Sequence, residues 1–417
     1  LSRNWAMLIT IMFAWMADSG DSLLYSYVLG SVAKEWNITP ALAASIGFLP
    51  MAAAVVGGPL FGFIADKYGR KKSLLSAMFL VALSGILVGI SQNPTQMVLS
   101  RLLVGLVLGG IWTAGMTLIS EIWDPKSRGK AVAVVQVGFP LGYLYASILT
   151  YFVSPSFGWR GAYIASAIPS LLIFIAIWFF VNESPLWLKT KGEDKKTKAK
   201  AQSVSIQELF QKQYATKTLV ASLIAFLGMY GYWAVMTWIP SYLAVVGFNA
   251  KNIPLWTFFI LSGAVVGYLT HGTIGDRYGR KKAFGLFFLG TAIFTLVFGL
   301  LPVYLAKAYN QDVARTSVVL IGPILSFFTG YFSGYGAYYA ELFPTRIRGS
   351  AVGFCFNVGR IGTSIGPGIT GALAAFFGVG GALAIASISF IISAVLIFLL
   401  PETAGISFEA DTKSISS

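Results

Sequence analysis

Four fixed charges stand inside otherwise apolar stretches of this chain, and their types suit the exchange of protons and anions. The stretch AWMADSGDSLLYSYVLG, residues 14–30, carries Asp18 and Asp21, while Arg101 and Arg360 lie within two later stretches. A charge at the centre of a membrane helix costs about 2.5–3.5 kcal/mol, so such residues are functional candidates by default. Asp18 and Asp21 are three residues apart and share one helical face. Two carboxylates in a poorly hydrated site repel, so one of them holds a proton readily, as a proton carrier must. Arg360 has no acid at its depth in its own half of the chain, and its planar fork suits bidentate recognition of a carboxylate.

These residues need helices that cross a membrane. Hydrophobic residues make up 56% of the 417 and charged residues 11%, with a mean hydropathy of +0.74, more apolar surface than a soluble core absorbs. At about 20 apolar residues per span, twelve runs are present, near 5–30, 41–64, 73–92, 95–120, 131–153, 160–181, 217–243, 254–275, 283–303, 315–340, 350–376 and 380–400. The chain therefore reads as an all-α polytopic membrane protein. With a rise of about 1.5 Å per residue, Asp21 lies roughly 9–14 Å below the outer surface, Arg101 about 9 Å below the same surface, and Arg360 near the midplane.

The net charge of +14 invites a nucleic-acid reading, but its placement explains it as topology. If the odd-numbered runs travel outward, 23 of the 30 Lys and Arg residues fall on the side of the termini and even-to-odd loops and five on the other. The positive-inside rule then puts both termini in the cytoplasm, with a plasma-membrane location and no nucleic-acid partner. The one histidine, His271, and one cysteine, Cys355, leave no metal constellation and no intramolecular disulfide. No catalytic or cofactor motif stands out, so neither an enzyme nor a bound cofactor is expected.

The chain repeats itself. GFIADKYGRKK at 62–72 returns as GTIGDRYGRKK at 272–282, SEIWDPKSRG at 120–129 as AELFPTRIRG at 340–349, and NESP at 182–185 has a counterpart in PETAG at 401–405. The expected organisation is two pseudo-symmetric six-helix bundles, 1–183 and 217–403, joined by a polar Lys-rich linker, 184–216, and followed by a tail, 404–417. Within the linker, IQELFQKQY reads as a short amphipathic helix on the membrane surface.

The doubled G-x-x-x-D-[KR]-x-G-R-K-K loop, the twelve runs and the basic central loop resemble the major facilitator superfamily over essentially the whole chain. That resemblance implies two bundles flanking a central cavity and moving by alternating access. It also implies that the repeated loops form a cytoplasmic gate. Gly62, Asp66, Gly69 and Arg70 would serve one copy and Asp276, Gly279 and Arg280 the other, with Glu121, Arg128, Glu341 and Arg348 as partners that hold the outward-open state. Helices one and four are neighbours in the superfamily, which would let Asp21 meet Arg101 and join it in proton coupling.

The D-x-x-D of run one, RLLVG at 101–105, WR at 159–160, YWAVMTWIPSYL at 232–243 and NVGRIGTSIGP at 357–367 are similar to proton symporters of aromatic acids, sialic acid and related carboxylates. Here the acids stand in D-S-G-D where that group usually has D-G-[FY]-D, which removes an aromatic from between them. The implied activity is uptake of a small organic anion with protons by a monomeric carrier in the lipid bilayer. Arg360 would contact the substrate, with Gln136, Tyr230, Trp233, Tyr331, Tyr335 and Asn357 as further cavity residues. Sugar or polyol porters, drug antiporters and a non-transporting nutrient sensor are the alternatives.

Overall fold

The computed structural model describes residues 3–38, 40–196, 206–249 and 252–408. Within them, ten helical stretches are long and apolar enough to cross a membrane. Two of these, Arg128–Phe180 and Arg348–Leu399, run to 53 and 52 residues. Each is a pair of spans folded back at one glycine, Gly158 with φ 65° and Gly378 with φ 69°. Only glycine takes those dihedrals without strain. The architecture is therefore twelve transmembrane helices in two pseudo-symmetric bundles.

In chain order these are α1 Arg3–Glu35, α2 Pro40–Tyr68, α3 Arg70–Gly89, α4 Pro94–Ile122, α5 128–157 and α6 159–180. The second bundle comprises α7 Ala215–Val245, α8 Ile253–Tyr278, α9 Arg280–Ala308, α10 Gln311–Leu342, α11 348–377 and α12 379–399. Helices dominate because hydrocarbon offers the backbone no partners, so each peptide group must bond within its own segment. Local signals mark the ends. Asn93 caps α4 by accepting from the Gln96 N–H at 3.0 Å, with Pro94 in the first turn, and Asn310 caps α10 in the same way.

The bundles meet along α2 against α11 and along the first turns of α5 against α8. Glycines permit this approach: a Cβ on Gly62 would run into the Gly349 backbone, and one on Gly272 into Gly129. Two long helices are interrupted beside the centre, α7 at 237–238 and α10 by a 3₁₀ turn at Thr329–Ser333, breaks that often accompany a binding site.

Residues 185–196 form a helix, and 197–205, which hold part of the Lys-rich run, lie outside the described residues, as do 409–417 of the tail. The amphipathic helix expected at IQELFQKQY is instead a 3₁₀ turn at Ile206–Phe210. It is held in place by burial of Leu209 and an ion pair from Glu208 to Arg346.

Candidate functional site

All four intramembrane charges are buried, Asp18 at 1%, Asp21 at 2%, Arg101 at 1% and Arg360 at 6% exposure. The two acids do not share one partner. Asp21 points into the first bundle, where its Oδ1 accepts from Ser166 Oγ at 3.0 Å and its charge interacts with that of Arg101. Arg101 makes no direct ion pair with it. Its guanidinium donates at 3.3 Å to Tyr163 Oη and to the Ser22 and Gly47 carbonyls, and lies 4.6 Å over the Tyr25 ring.

Asp18 Oδ2 is buried with no hydrogen-bond partner among the described residues, and the charges that act on Asp18 are the opposite one of Arg360 in the second bundle and the like one of Asp21. Arg360 is expected to meet no acid of its own half of the chain, and the charge that opposes it comes from α1 of the first bundle. Arg360 Nε donates to Asn357 Oδ1 at 2.8 Å, and Nη1 approaches Met51 Sδ at 3.4 Å.

Arg360 lines a cavity between the bundles. Its wall takes Trp15, Ser19 and Ser22 from α1, Met51 from α2, Gln136 and Phe139 from α5, Tyr232 and Trp233 from α7, Tyr268 from α8, Phe332 from α10, and Phe356 and Thr363 from α11. Aromatic rings dominate, and on one side Trp112 stacks on Phe356 with centroids 3.4 Å apart, pinned by its indole N–H on Gln136 Oε1 at 3.0 Å. Trp15 Nε1 and Ser22 Oγ are buried in this wall with no hydrogen-bond partner among the described residues. Such groups are rare in packed interiors and favour an incoming acceptor.

Of the expected cavity residues, Arg360, Gln136 and Trp233 are there, and four are not. Tyr331 and Tyr335 are wholly buried. Together with Tyr339 they donate to the carbonyls of Gly228, Ile224 and Ala221, so this stripe ties α10 to α7 inside the second bundle. Spacing of four marks a common face but not the neighbour it meets. Tyr230 stacks on Phe226 outside the cavity wall, and Asn357 stands behind Arg360.

At the basic end the repeated motifs interlock across the two bundles. Glu121 accepts from Arg70 Nε and Nη2 at 3.0 and 2.9 Å and from Arg348 Nη1 at 2.8 Å. Glu341 accepts from Arg280 Nε and Nη2 at 3.0 and 2.8 Å and from Arg128 Nη1 at 2.8 Å. Asp66 accepts from the backbone N–H of Gly349 and Ser350 at 3.0 and 2.7 Å, capping α11, and Asp276 accepts from Gly129 and Lys130 at 2.8 Å each, capping α5. Every expected gate residue thus lies in one of two matching clusters that bridge the bundles, with Gly69 and Gly279 at φ 114° and 110° making the tight turns.

Residues 6–271 and 255–415 match the profile of the Major Facilitator Superfamily. The chain belongs to that superfamily. It is 29% identical to the cis,cis-muconate transport protein of Acinetobacter baylyi, aligned over 91% of this chain and 90% of that one. It is 28% identical to the sialic acid transporter NanX of Escherichia coli, over 93% and 92%. Its fold is that of the superfamily's proton:xylose symporter XylE in complex with 6-bromo-6-deoxy-D-glucose, with a TM-score of 0.81 and 18% identity over 99% of both chains. The protein is a major facilitator superfamily transporter and not an enzyme.

Two features of this facilitator escaped the sequence reading although their signals were present. Glu183 of NESP and Glu402 of PETAG cap the first turns of α3 and α9, accepting from the Arg70 and Arg280 N–H groups at 2.8 Å. The repeat pointed to both acids. Trp15, Ser19 and Ser22 fall at i, i+4 and i+7 and so form one α1 face, adjacent to Asp18, which the search for charged residues passed over. Past PETAG, Phe408 is buried between two arginines of these clusters, with Arg128 and Arg348 Cζ 3.9 and 3.7 Å from its ring centroid.

Proposed function

We propose that this transporter takes up a small organic anion together with protons, Arg360 receiving the carboxylate and the acids of α1 carrying the proton. The supporting observation is Arg360, a guanidinium that lines an aromatic cavity between the bundles and feels the opposite charge of Asp18 across the interface. The relatives above are transporters of muconate and of sialic acid, both acids. The ring-rich wall suits a flat unsaturated or aromatic body, which offsets the aromatic missing from D-S-G-D.

Charge balance supplies the coupling. In the unloaded carrier Asp18 and Arg360 offset each other, so the bundles can rearrange around a neutral pair. An anion bound alone leaves one negative charge in excess, and a proton on Asp18 alone leaves one positive charge. Both together restore neutrality, and an uncompensated charge in a low-dielectric interface is costly. Asp21 and Arg101 balance separately within the first bundle and tune the response of α1.

In this reading the basic end faces the cytoplasm, with both termini there, and the transporter works as a monomer in the plasma membrane. The bundles 1–183 and 217–403 rock about the cavity, and Gly62, Asp66, Gly69, Arg70, Glu121, Arg128, Asp276, Gly279, Arg280, Glu341 and Arg348 form the gate that keeps the cytoplasmic side closed. The test is uptake into proteoliposomes of labelled cis,cis-muconate, benzoate, sialic acid and neutral xylose, with and without an inward proton gradient. Gradient-driven accumulation of at least one acid and none of xylose is expected. Accumulation of xylose alone would overturn the proposal in favour of a sugar porter.

A further inference from the structure

Asn357 stands where α2, α4 and α11 cross and is 0% exposed. Its Nδ2 donates to the Gly353 carbonyl at 2.8 Å and to Thr113 Oγ1 at 3.5 Å, while Oδ1 accepts from Arg360 Nε at 2.8 Å. The Thr113 hydroxyl proton goes to the Gly109 carbonyl at 2.7 Å, which leaves Oγ1 as an acceptor. The amide therefore has one satisfactory orientation. Turned over, it would set an NH₂ group against the Arg360 N–H, donor to donor, and its carbonyl against two acceptors. The side chain fits because α2 carries Gly58, where a Cβ would collide with the Asn357 amide.

We propose that Asn357 is a positioning residue, which fixes Arg360 Nε so that the rest of the guanidinium faces the cavity. Thr113 and Gly58 belong to the first bundle and Asn357 and Arg360 to the second, so this hold is complete only while α11 is seated on α2 and α4. The same helices part when the gate at Asp66, Gly349 and Ser350 opens. Gate opening then loosens Arg360 and lowers its affinity for the anion at the moment of release. The proposal rests on the reading of Arg360 as the anion receptor, and it gives Asn357 a part in recognition without contact to the substrate.

The experiment compares Asn357→Ala, Gly58→Ala, Thr113→Val, the Gly58→Ala/Asn357→Ala double variant and Arg360→Ala. It measures the binding and KM of labelled cis,cis-muconate, benzoate and sialic acid, together with maximal rate and thermal stability. Asn357→Ala and Gly58→Ala are each expected to weaken binding about tenfold, the scale of one hydrogen bond to a charged group, with a smaller change in maximal rate. In the double variant Gly58→Ala should add little, because alanine at 357 leaves room for the new methyl. Should Gly58→Ala fail to fold, Thr113→Val probes the same link, with a smaller rise in KM. Wild-type affinity in Asn357→Ala with only a lower melting temperature would overturn the positioning role. If Arg360→Ala binds like the wild type, or the wild type binds none of the three acids, the underlying reading falls. If Arg360→Ala loses binding while Asn357→Ala retains it, the positioning role alone falls.

Discussion

Replacing Arg360 by alanine is expected to weaken binding of the transported acid by about a hundredfold or more. A buried, charge-assisted contact to a carboxylate is worth about 2–5 kcal/mol, and a hundredfold loss corresponds to about 2.7 kcal/mol. Arg360→Lys keeps the charge but not the fork. It also lacks the Nε that Asn357 holds at 2.8 Å, so about a tenfold loss is expected. Equilibrium dialysis against labelled cis,cis-muconate, benzoate and sialic acid measures both. Arg360→Ala should also leave Asp18 without its opposing charge, so the acid stays protonated and residual transport becomes insensitive to the proton gradient. Unchanged affinity in Arg360→Ala would remove the guanidinium from the recognition site.

The second large effect is expected at the gate. Glu121 joins Arg70 of its own bundle to Arg348 of the other, and all three side chains are buried. Glu121→Gln removes the carboxylate that Arg348 meets across the bundles at 2.8 Å, while Arg70 keeps Asp66 at 3.3 Å. Breaking a buried pair from one side costs about 3–5 kcal/mol, enough to move a conformational equilibrium by more than about a hundredfold. Lys72 and Lys282 are exposed at the starts of α3 and α9, one in each bundle. Spin labels on Lys72→Cys and Lys282→Cys would report the separation, since Cys355, the sole native cysteine, is buried. A single short distance is expected with Glu121 present and a second, longer population with Glu121→Gln. One unchanged distance in the variant would show that the cluster does not hold the gate.

The interlocked charge clusters were legible in the sequence because they are written twice. Asp66 and Asp276, and the glycines and arginines around them, recur at nearly one offset, and the structure repeats their bonding almost atom for atom. The helix count was legible for a similar reason, and the tight turns at Gly158 and Gly378 explain why four of the twelve spans form two unbroken stretches. The cavity was less legible. Its wall is assembled from one or a few residues on each of eight helices, and no periodicity along one helix tells whether an aromatic face meets a neighbour, lipid or the interface. Tyr331 and Tyr335 have the spacing of a lining stripe and serve instead as hydrogen-bond pins to α7. Asn357 was recognised as polar within a span, but its bond to Arg360 depends on Gly58 and Thr113, some 300 and 244 residues away in the chain. The partner of Arg360 was missed because it belongs to the other bundle.

In the proposed cycle Asp18 carries the proton that balances an anion on Arg360. The most direct test follows the lumenal pH of proteoliposomes containing a pH-sensitive dye when the best-transported acid is added outside. The wild type is expected to acidify the lumen in step with uptake. Asp18→Asn, which cannot take up the balancing proton, is expected to exchange labelled acid across the membrane without acidifying the lumen. Acid-driven lumenal acidification that persists in Asp18→Asn would show that the balancing proton travels on another group.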